Sequence, residues 1–230
     1  ILGESIMPKS STGLWIELIG NSADFEKIII SAMNNRFTAA VKKSIPLIEK
    51  GLESLVYNGI SDCPEMAELK NGDLGGELGL TAGVANEAAE DIAIAVSQSI
   101  VIQREKASAK DGDGGLTIYI QPSNFENILG INNAVVSYYS KKEKTTIDLD
   151  WLNWLLTRGD EIIVSKFRFE PESGRGRTGK GRMKKGGSWR VSPQYAGTED
   201  DNFITRALSG KILQTKMASV IHKAIKKNWK

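Results

Sequence analysis

The longest regular pattern of apolar residues lies near the start of the chain and predicts a helix over residues 21–60. Asn21 or Ser22 supplies an N-cap, and Asn58-Gly59 ends the pattern. Pro46 lies inside it, so the residues predict either one helix kinked at this proline or two stacked helices. A helix of this length exceeds the diameter of a small domain, so it packs either against neighbours in an assembly or against its own second half. The apolar residues recur every three or four positions, as one helix face requires: Phe25, Ile28, Ile29, Met33, Phe37, Val41, Ile45, Ile48, Leu52, Leu55 and Val56.

The next part of the chain combines a glycine-rich segment with alternating apolar residues. Five glycines between residues 71 and 83 predict a turn-rich connector that positions Leu74, Leu78 and Leu80. From Ile92 to Gln103 the alternation of apolar and other residues predicts a strand. The turn residues 111–115 and a second strand at 116–120 then predict a β-hairpin. The Asp-x-Asp pair in this turn does not predict a calcium site, because the acidic residue that should close such a loop is missing.

The C-terminal half predicts short helices and strands in alternation. Together these elements predict an α+β fold in a single domain of residues 1–230. In that fold the long N-terminal helix packs on a mainly antiparallel sheet, accompanied by a basic loop and C-terminal helices. The predicted elements are strands at residues 134–139, 161–169 and 188–191, helices at 148–156, 203–208 and from 210 onward, with Asp148 capping the first helix and residues 198–201 starting the second.

Residues 172–187 consist almost entirely of glycine, arginine and lysine. Such a composition cannot bury an apolar core, so it predicts a flexible basic loop between strands. Gly174, Gly179 and Lys180 copy part of a phosphate-binding P-loop. Gly181 stands where magnesium coordination needs a hydroxyl, and no helix can begin in the glycine-rich residues that follow. The sequence therefore does not predict nucleotide hydrolysis.

The composition argues against most enzyme classes. The 230 residues include one cysteine, Cys63, and one histidine, His222, so disulfide frameworks, cysteine-rich zinc sites and histidine-cluster metal sites are excluded. The acidic pairs at Asp148/Asp150 and Glu199–Asp201 are explained by helix N-termini. We therefore expect no catalytic, cofactor or metal site. No apolar stretch approaches the ~18 residues of a membrane span, and we expect the chain to stay in the cytosol or in an assembly made there.

Charge is distributed unevenly along the chain, although 30 Lys and Arg against 28 Asp and Glu leave a net charge of only +2. Residues 1–100 carry 7 basic and 14 acidic residues, whereas residues 166–230 carry 16 basic and 5 acidic ones. A solvated face is one explanation of such runs, and a partner surface is the other. Arginine and lysine in the basic loop can track DNA phosphates without reading bases, or pair with an acidic protein surface, including the first hundred residues of a second copy.

Several segments of the chain form a recognisable succession: Leu74–Leu80, Trp151–Asp160, the basic loop, Gly187–Val191, Pro193, Tyr195–Thr198 and Asp201–Leu208. Together these segments resemble neck and tail-completion proteins of tailed bacteriophages. The resemblance implies an α+β structural protein of the virion, assembled in the host cytoplasm as a homo-oligomeric ring around the DNA channel between head and tail. The resemblance leaves open which layer of the neck the protein forms: that of a tail terminator, a head-closure protein or a tail-completion protein.

The implied partners are portal, adaptor or head-closure proteins on one side and tail terminator or tail tube proteins on the other, with non-specific contact to genomic duplex DNA. The alternative function is a sequence-independent DNA-binding accessory protein that uses the basic C-terminal third. Trp151, Trp154 and Trp189 are expected to pack at the base of the basic loop. The predicted contact residues are Arg175, Arg177, Lys180, Arg182, Lys184 and Lys185.

Overall fold

One helix of 40 residues, α1 (Ser22–Ser61), forms the longest element of the fold. The structure is a computed structural model, and it describes residues 22–105, 115–120, 124–140 and 143–229. At 1.5 Å per residue α1 is about 60 Å long. The helix continues through Pro46, which lies on an exposed face where the backbone carbonyl that loses its partner can be solvated. The prediction of a long N-terminal helix is confirmed, and no second helix begins at the proline.

The second longest helix, α8 (Lys211–Asn228), runs antiparallel to α1 and is its main partner. Gly59 of α1 lies against Leu213, and Gly51 lies against Val220 so closely that an added Cβ would come within 2.6 Å of the valine. At the other end of the pair, Phe37 contacts Trp229 with their ring centroids 6.0 Å apart. The predicted amphipathic C-terminal helix is therefore confirmed.

Residues that were expected to form a strand belong instead to α4 (Ala82–Gln98), which also packs on α1. The prediction of a strand over Ile92–Gln103 is therefore wrong for most of its length. Ile92 and Val96 are buried but Ile94 is partly exposed, so the alternation was a coincidence of apolar residues. Alanine occupies most of the buried positions of α4, so large apolar residues do not mark the helical period in the sequence. The buried residues of α4 are Ala85, Ala88, Ala89, Ile92, Ala93, Val96 and Ser97.

Within the described residues, the strands form three separate two-stranded antiparallel sheets. In the first, β1 pairs with β2, so the predicted hairpin exists, although its turn lies outside the described residues. In the second, Asp148 belongs to a strand and accepts a hydrogen bond from Ser137, so it does not cap the next helix. The three pairs are β1 (Val101–Glu105) with β2 (Gly115–Tyr119), β3 (Val136–Ser140) with β4 (Thr145–Leu149), and β5 (Val164–Pro171) with β6 (Gly181–Trp189).

The basic segment 172–187 is a loop only in its first half. Residues from Gly181 onward form β6, and the turn between the strands is limited to residues 172–180. The composition misled the prediction because β6 leaves most of its side chains in solvent and needs no apolar alternation. Opposite Lys166, which interrupts the register, Gly186 and Gly187 adopt φ values of 103° and 84° that favour glycine.

Short helices complete the fold and close the core. Helix α7 begins after Asn202, whose side chain accepts hydrogen bonds from the backbone N–H groups of Ile204 and Thr205, so this residue rather than residues 198–201 is the cap. Leu74, Leu78 and Leu80 are buried, as predicted. The remaining helices are α2 (Pro64–Asn71), α3 (Leu74–Glu77), α5 (Glu126–Leu129), α6 (Trp151–Thr157) and α7 (Phe203–Ser209).

The fold class is α+β, as the sequence predicts. The long helix, however, packs chiefly on α4 and α8 rather than on a sheet, because its apolar stripe is matched by the stripes of these two helices. The core joins this helical layer to the buried residues Trp151, Leu155 and Phe203. Among the described residues, no helix combines the length and the apolarity needed to cross a membrane.

Candidate interaction surfaces

The turn between β5 and β6 is fastened to the glycine-rich segment 71–83. Arg177 donates a hydrogen bond from Nη2 to the Gly79 carbonyl at 2.6 Å, and its guanidinium carbon lies 4.6 Å from the centroid of the Tyr138 ring. Lys180 donates from Nζ to the carbonyls of Asn71 and Gly72, at 3.2 and 2.9 Å. Two of the six predicted contact residues therefore hold the turn on the body of the protein.

The glycines on both sides of this contact are required by its geometry. An added Cβ on Gly76 would lie 2.3 Å from the Cβ of Lys180, so the two backbones approach too closely for a side chain. Within the turn, Gly174, Gly176 and Gly179 have φ values of 73–75°, a region that other residues rarely adopt. The glycines that suggested a flexible loop instead allow the backbone conformation of this turn and its close contact with residues 71–83.

Three more of the predicted contact residues form ion pairs within the hairpin. Arg175 and Arg182 both lie near the Glu172 carboxylate, at 3.5 and 3.3 Å, and Lys184 pairs with Glu170. Lys185 is the sixth, and it makes no ion pair with another described residue. These partly exposed pairs contribute little to stability, but they offset much of the charge that a phosphate or an acidic protein would meet.

A cavity of about 510 Å³ lies between the hairpin and the body of the protein. At its wall the Trp154 and Trp189 rings meet edge to face with centroids 6.0 Å apart, and Trp151 is fully buried nearby in α6. The indole N–H of Trp189 is buried and makes no hydrogen bond of ordinary geometry, although it is close enough to the Glu77 carboxylate to lower its pKa. Burial outweighs this effect and raises the pKa of Glu77. The expected packing of tryptophans beneath the basic segment is confirmed for Trp154 and Trp189, whereas Trp151 does not line this cavity and donates its indole N–H to the Asn133 carbonyl.

The residue types associated with catalysis are placed apart from one another. Burial raises the pKa of the Cys63 thiol to about 11, and His222 is exposed on α8. Lys180, the P-loop candidate, is bound to backbone carbonyls and is followed by the strand β6 instead of the helix that a P-loop requires. In the described part of the chain, no group of three His, Cys, Asp or Glu side chains could hold a metal ion.

A second basic surface, which the sequence does not reveal, is formed jointly by α1 and α8. Arg36, Lys43 and Lys50 recur every seven residues and form one row on α1. At 100° per residue, this row lies about a quarter turn from the Ser44 and Gly51 stripe that faces α8. A matching row on α8 flanks the residues that face α1. Its members are Lys216, Lys223 and Lys227.

The antiparallel pairing of the helices places both rows on the same side of the pair. We call these six residues the two-helix basic surface. All six side chains are exposed, and none makes an ion pair with another described residue. The α8 row lies within the basic C-terminal run evident in the sequence, but the α1 row is joined to it only by the fold.

An apolar surface lies at the start of α1, beyond the end of α8. We call residues 22–36 the α1 overhang: α8 ends at Asn228, and the next residue, Trp229, contacts Phe37 of α1. In the overhang, Ile28, Ile29 and Met33 are 65%, 58% and 55% exposed. Ile29 and Met33 continue the stripe that α8 covers farther along the helix, and more than half of each side chain stays exposed.

No family model, curated protein or solved structure matches this chain. The function must therefore be inferred from the surfaces themselves.

Proposed function

We propose that this protein is a structural subunit of the neck of a tailed bacteriophage, assembled as a ring that joins the DNA-filled head to the tail. The resemblance of residues 74–80 and 151–208 to neck and tail-completion proteins supports this proposal. The observation that carries it is the α1 overhang, since an apolar helix end that the described fold leaves uncovered is what a subunit interface requires.

The occupant that fits the overhang is a second copy of the chain. The stripe facing α8 runs on through Met33 and Ile29, so a helix of a neighbouring subunit placed in line with α8 would extend the same packing. Burying each of these side chains would contribute about 1.5–3 kcal/mol. The overhang of one copy would then contact a different surface of the next, and a head-to-tail contact of this kind closes into a ring when the rotation permits.

Light scattering after gel filtration, followed by electron microscopy, tests the proposal on the full chain. We expect a closed oligomer with an axial opening wide enough for duplex DNA. The variant Ile29→Glu/Met33→Glu should dissociate it, because two carboxylates would be buried in the interface. Ile162→Glu is the matched control, since Ile162 is 63% exposed but lies outside α1.

The experiment tests the ring and the proposed contact between subunits separately. An open filament or a simple dimer would refute the ring. A wild-type monomer, or an oligomer that the double variant leaves unchanged, would refute the overhang as the contact between subunits.

A further inference from the structure

We propose that the two-helix basic surface of α1 and α8 binds the phosphate backbone of duplex DNA without reading its sequence. This inference concerns the surface of a single subunit, so it does not depend on assembly into a ring. It also differs from the expectation that residues 175–185 make the contact, because five of those six basic side chains are engaged within the protein.

The absence of compensating acidic residues is the first observation that supports the proposal. α1 has no acidic residue between positions 28 and 48, and residues 202–229 have none at all. Glu49 and Glu53 follow on α1, but at 100° per residue they point about 120° and 80° away from the row of cations. The six cations therefore face solvent as a field of one sign, which attracts a polyanion.

The dimensions of the surface also suit a duplex. At 1.5 Å per residue, Arg36 to Lys50 spans about 21 Å and Lys216 to Lys227 about 16 Å. Packed helices have axes about 8–10 Å apart, so the two rows have a separation comparable with the ~12 Å major groove, which phosphates border on both sides. Each row can therefore follow one strand of the backbone.

The chemistry of the side chains favours DNA over an acidic protein. Five of the six residues are lysines, which serve as mobile point charges for phosphate and are depleted from protein–protein interfaces. The large apolar side chains exposed beside the two rows, Leu47 at 43% and Ile212 at 76%, are aliphatic, so the rows lack the cluster of aromatic anchors found in protein interfaces. Phosphate contacts of this kind give affinity without sequence preference.

Fluorescence anisotropy with a labelled duplex of about 24 base pairs tests this inference. If all six cations contact phosphates, log K should fall with log salt at a slope near −5, so affinity should drop about a thousandfold between 50 and 200 mM salt. The variant Lys43→Gln/Lys216→Gln/Lys223→Gln should bind at least about tenfold more weakly at 50 mM. The DNA affinity of this variant should fall only about fortyfold over the same salt range, because three phosphate contacts remain.

The matched control removes three charges from the hairpin: Arg182→Gln/Lys184→Gln/Lys185→Gln. We expect it to bind DNA within about twofold of the wild type. Absence of DNA binding at 50 mM salt, or a larger effect in the hairpin variant, would overturn the proposal. So would a helix-surface variant that changes the oligomer mass in light scattering while binding DNA normally, because the surface would then be a subunit interface. Loss of DNA binding with the oligomer intact supports the proposal.

Discussion

Arg206 of α7 and Glu65 of α2 form an ion pair with 3.0 Å between Nη2 and Oε1, although 141 positions separate them in the chain. The Glu65 side chain is only 8% exposed, whereas that of Arg206 is 38% exposed and also lies 3.4 Å from Asp201. The pair fastens the C-terminal helices to the segment that follows α1.

Arg206→Ala should lower the free energy of unfolding by about 2 kcal/mol, because it leaves a buried carboxylate without its charged partner. Urea denaturation measures this value. Arg158→Ala is the control, since its pair with Glu161 is exposed on both sides and should contribute less than about 0.5 kcal/mol. A loss for Arg206→Ala that is no larger than about 0.5 kcal/mol would show that the buried pair adds little stability.

A hydroxyl buried between the two longest helices gives the second prediction. Ser44 Oγ lies 2.7 Å from the Ala40 carbonyl and 2.9 Å from that of Ala224, and it accepts a hydrogen bond from Asn228 at 3.0 Å. Ser44→Ala should destabilise the protein by about 1–2 kcal/mol, because the Ala224 carbonyl and the Asn228 amide on α8 each lose one hydrogen bond at a buried contact.

Thermal and urea unfolding of Ser44→Ala should be compared with those of Ser54→Ala, which removes an exposed hydroxyl from the same helix. The control should change stability by less than about 0.5 kcal/mol. A Ser44→Ala variant as stable as the wild type would mean that the α1–α8 contact depends on apolar packing alone.

The docking of the β5–β6 turn gives the third prediction. Arg177→Ala removes both the hydrogen bond to Gly79 and the contact with the Tyr138 ring, which together contribute about 1 kcal/mol at a partly exposed site. The backbone N–H groups of Gly174 and Gly181, which are bonded within the turn, should then exchange with solvent several-fold faster. Arg175→Ala, which removes only an exposed ion pair, should leave their exchange nearly unchanged.

The elements predicted best from sequence are those with large apolar side chains at helical spacing. Helices α1 and α8 were recognisable because isoleucine, leucine, valine and methionine mark their buried stripes. Helix α4 was missed because alanines occupy much of its buried face, and three larger residues happened to alternate. Periodicity is a weak guide where the residues that pack are too small to stand out.

The basic surfaces show a different limit of sequence reasoning. The composition of residues 172–187 suggested exposed charge, but Arg177 and Lys180 bind backbone carbonyls more than 95 positions away. Conversely, the sequence around Lys43 on α1 shows no unusual charge, and the sequence around Lys223 on α8 shows only that this helix is basic. The antiparallel pairing of the two helices places both lysines on the same side of the pair. Long-range pairing of this kind leaves no local pattern in a single sequence.

Burial of Glu77 gives the fourth prediction, which concerns pH. Burial raises the pKa of this carboxyl above its ordinary value of 4.5, with Asp73 adding to the effect. The folded state therefore holds the proton more tightly than the unfolded state, and this group's contribution to stability falls as pH rises from the unfolded value through the folded one.

Glu77→Gln should accordingly raise the melting temperature at pH 7 and have less effect near pH 4, where the carboxyl is mostly protonated in both states. Glu87→Gln, which removes an exposed carboxylate from α4, serves as the control. Calorimetry at the two pH values measures the difference. A glutamine variant that is less stable at pH 7 than at pH 4, relative to wild type, would show that the ionised carboxylate is stabilised by its surroundings, to which the Trp189 N–H contributes.

The reactivity of the single cysteine, Cys63, reports in solution how well its thiol is buried at the junction of α1 and α2. Desolvation raises the pKa of Cys63 to about 11, so at pH 8 only about 0.1% of the thiol is the reactive thiolate. A disulfide reagent such as DTNB should therefore react slowly with the native protein and rapidly in urea, where the same thiol regains its ordinary pKa. Because the chain has one cysteine, each molecule reports this one site. Rapid release of one equivalent from the folded protein would show that the junction between α1 and α2 opens without global unfolding.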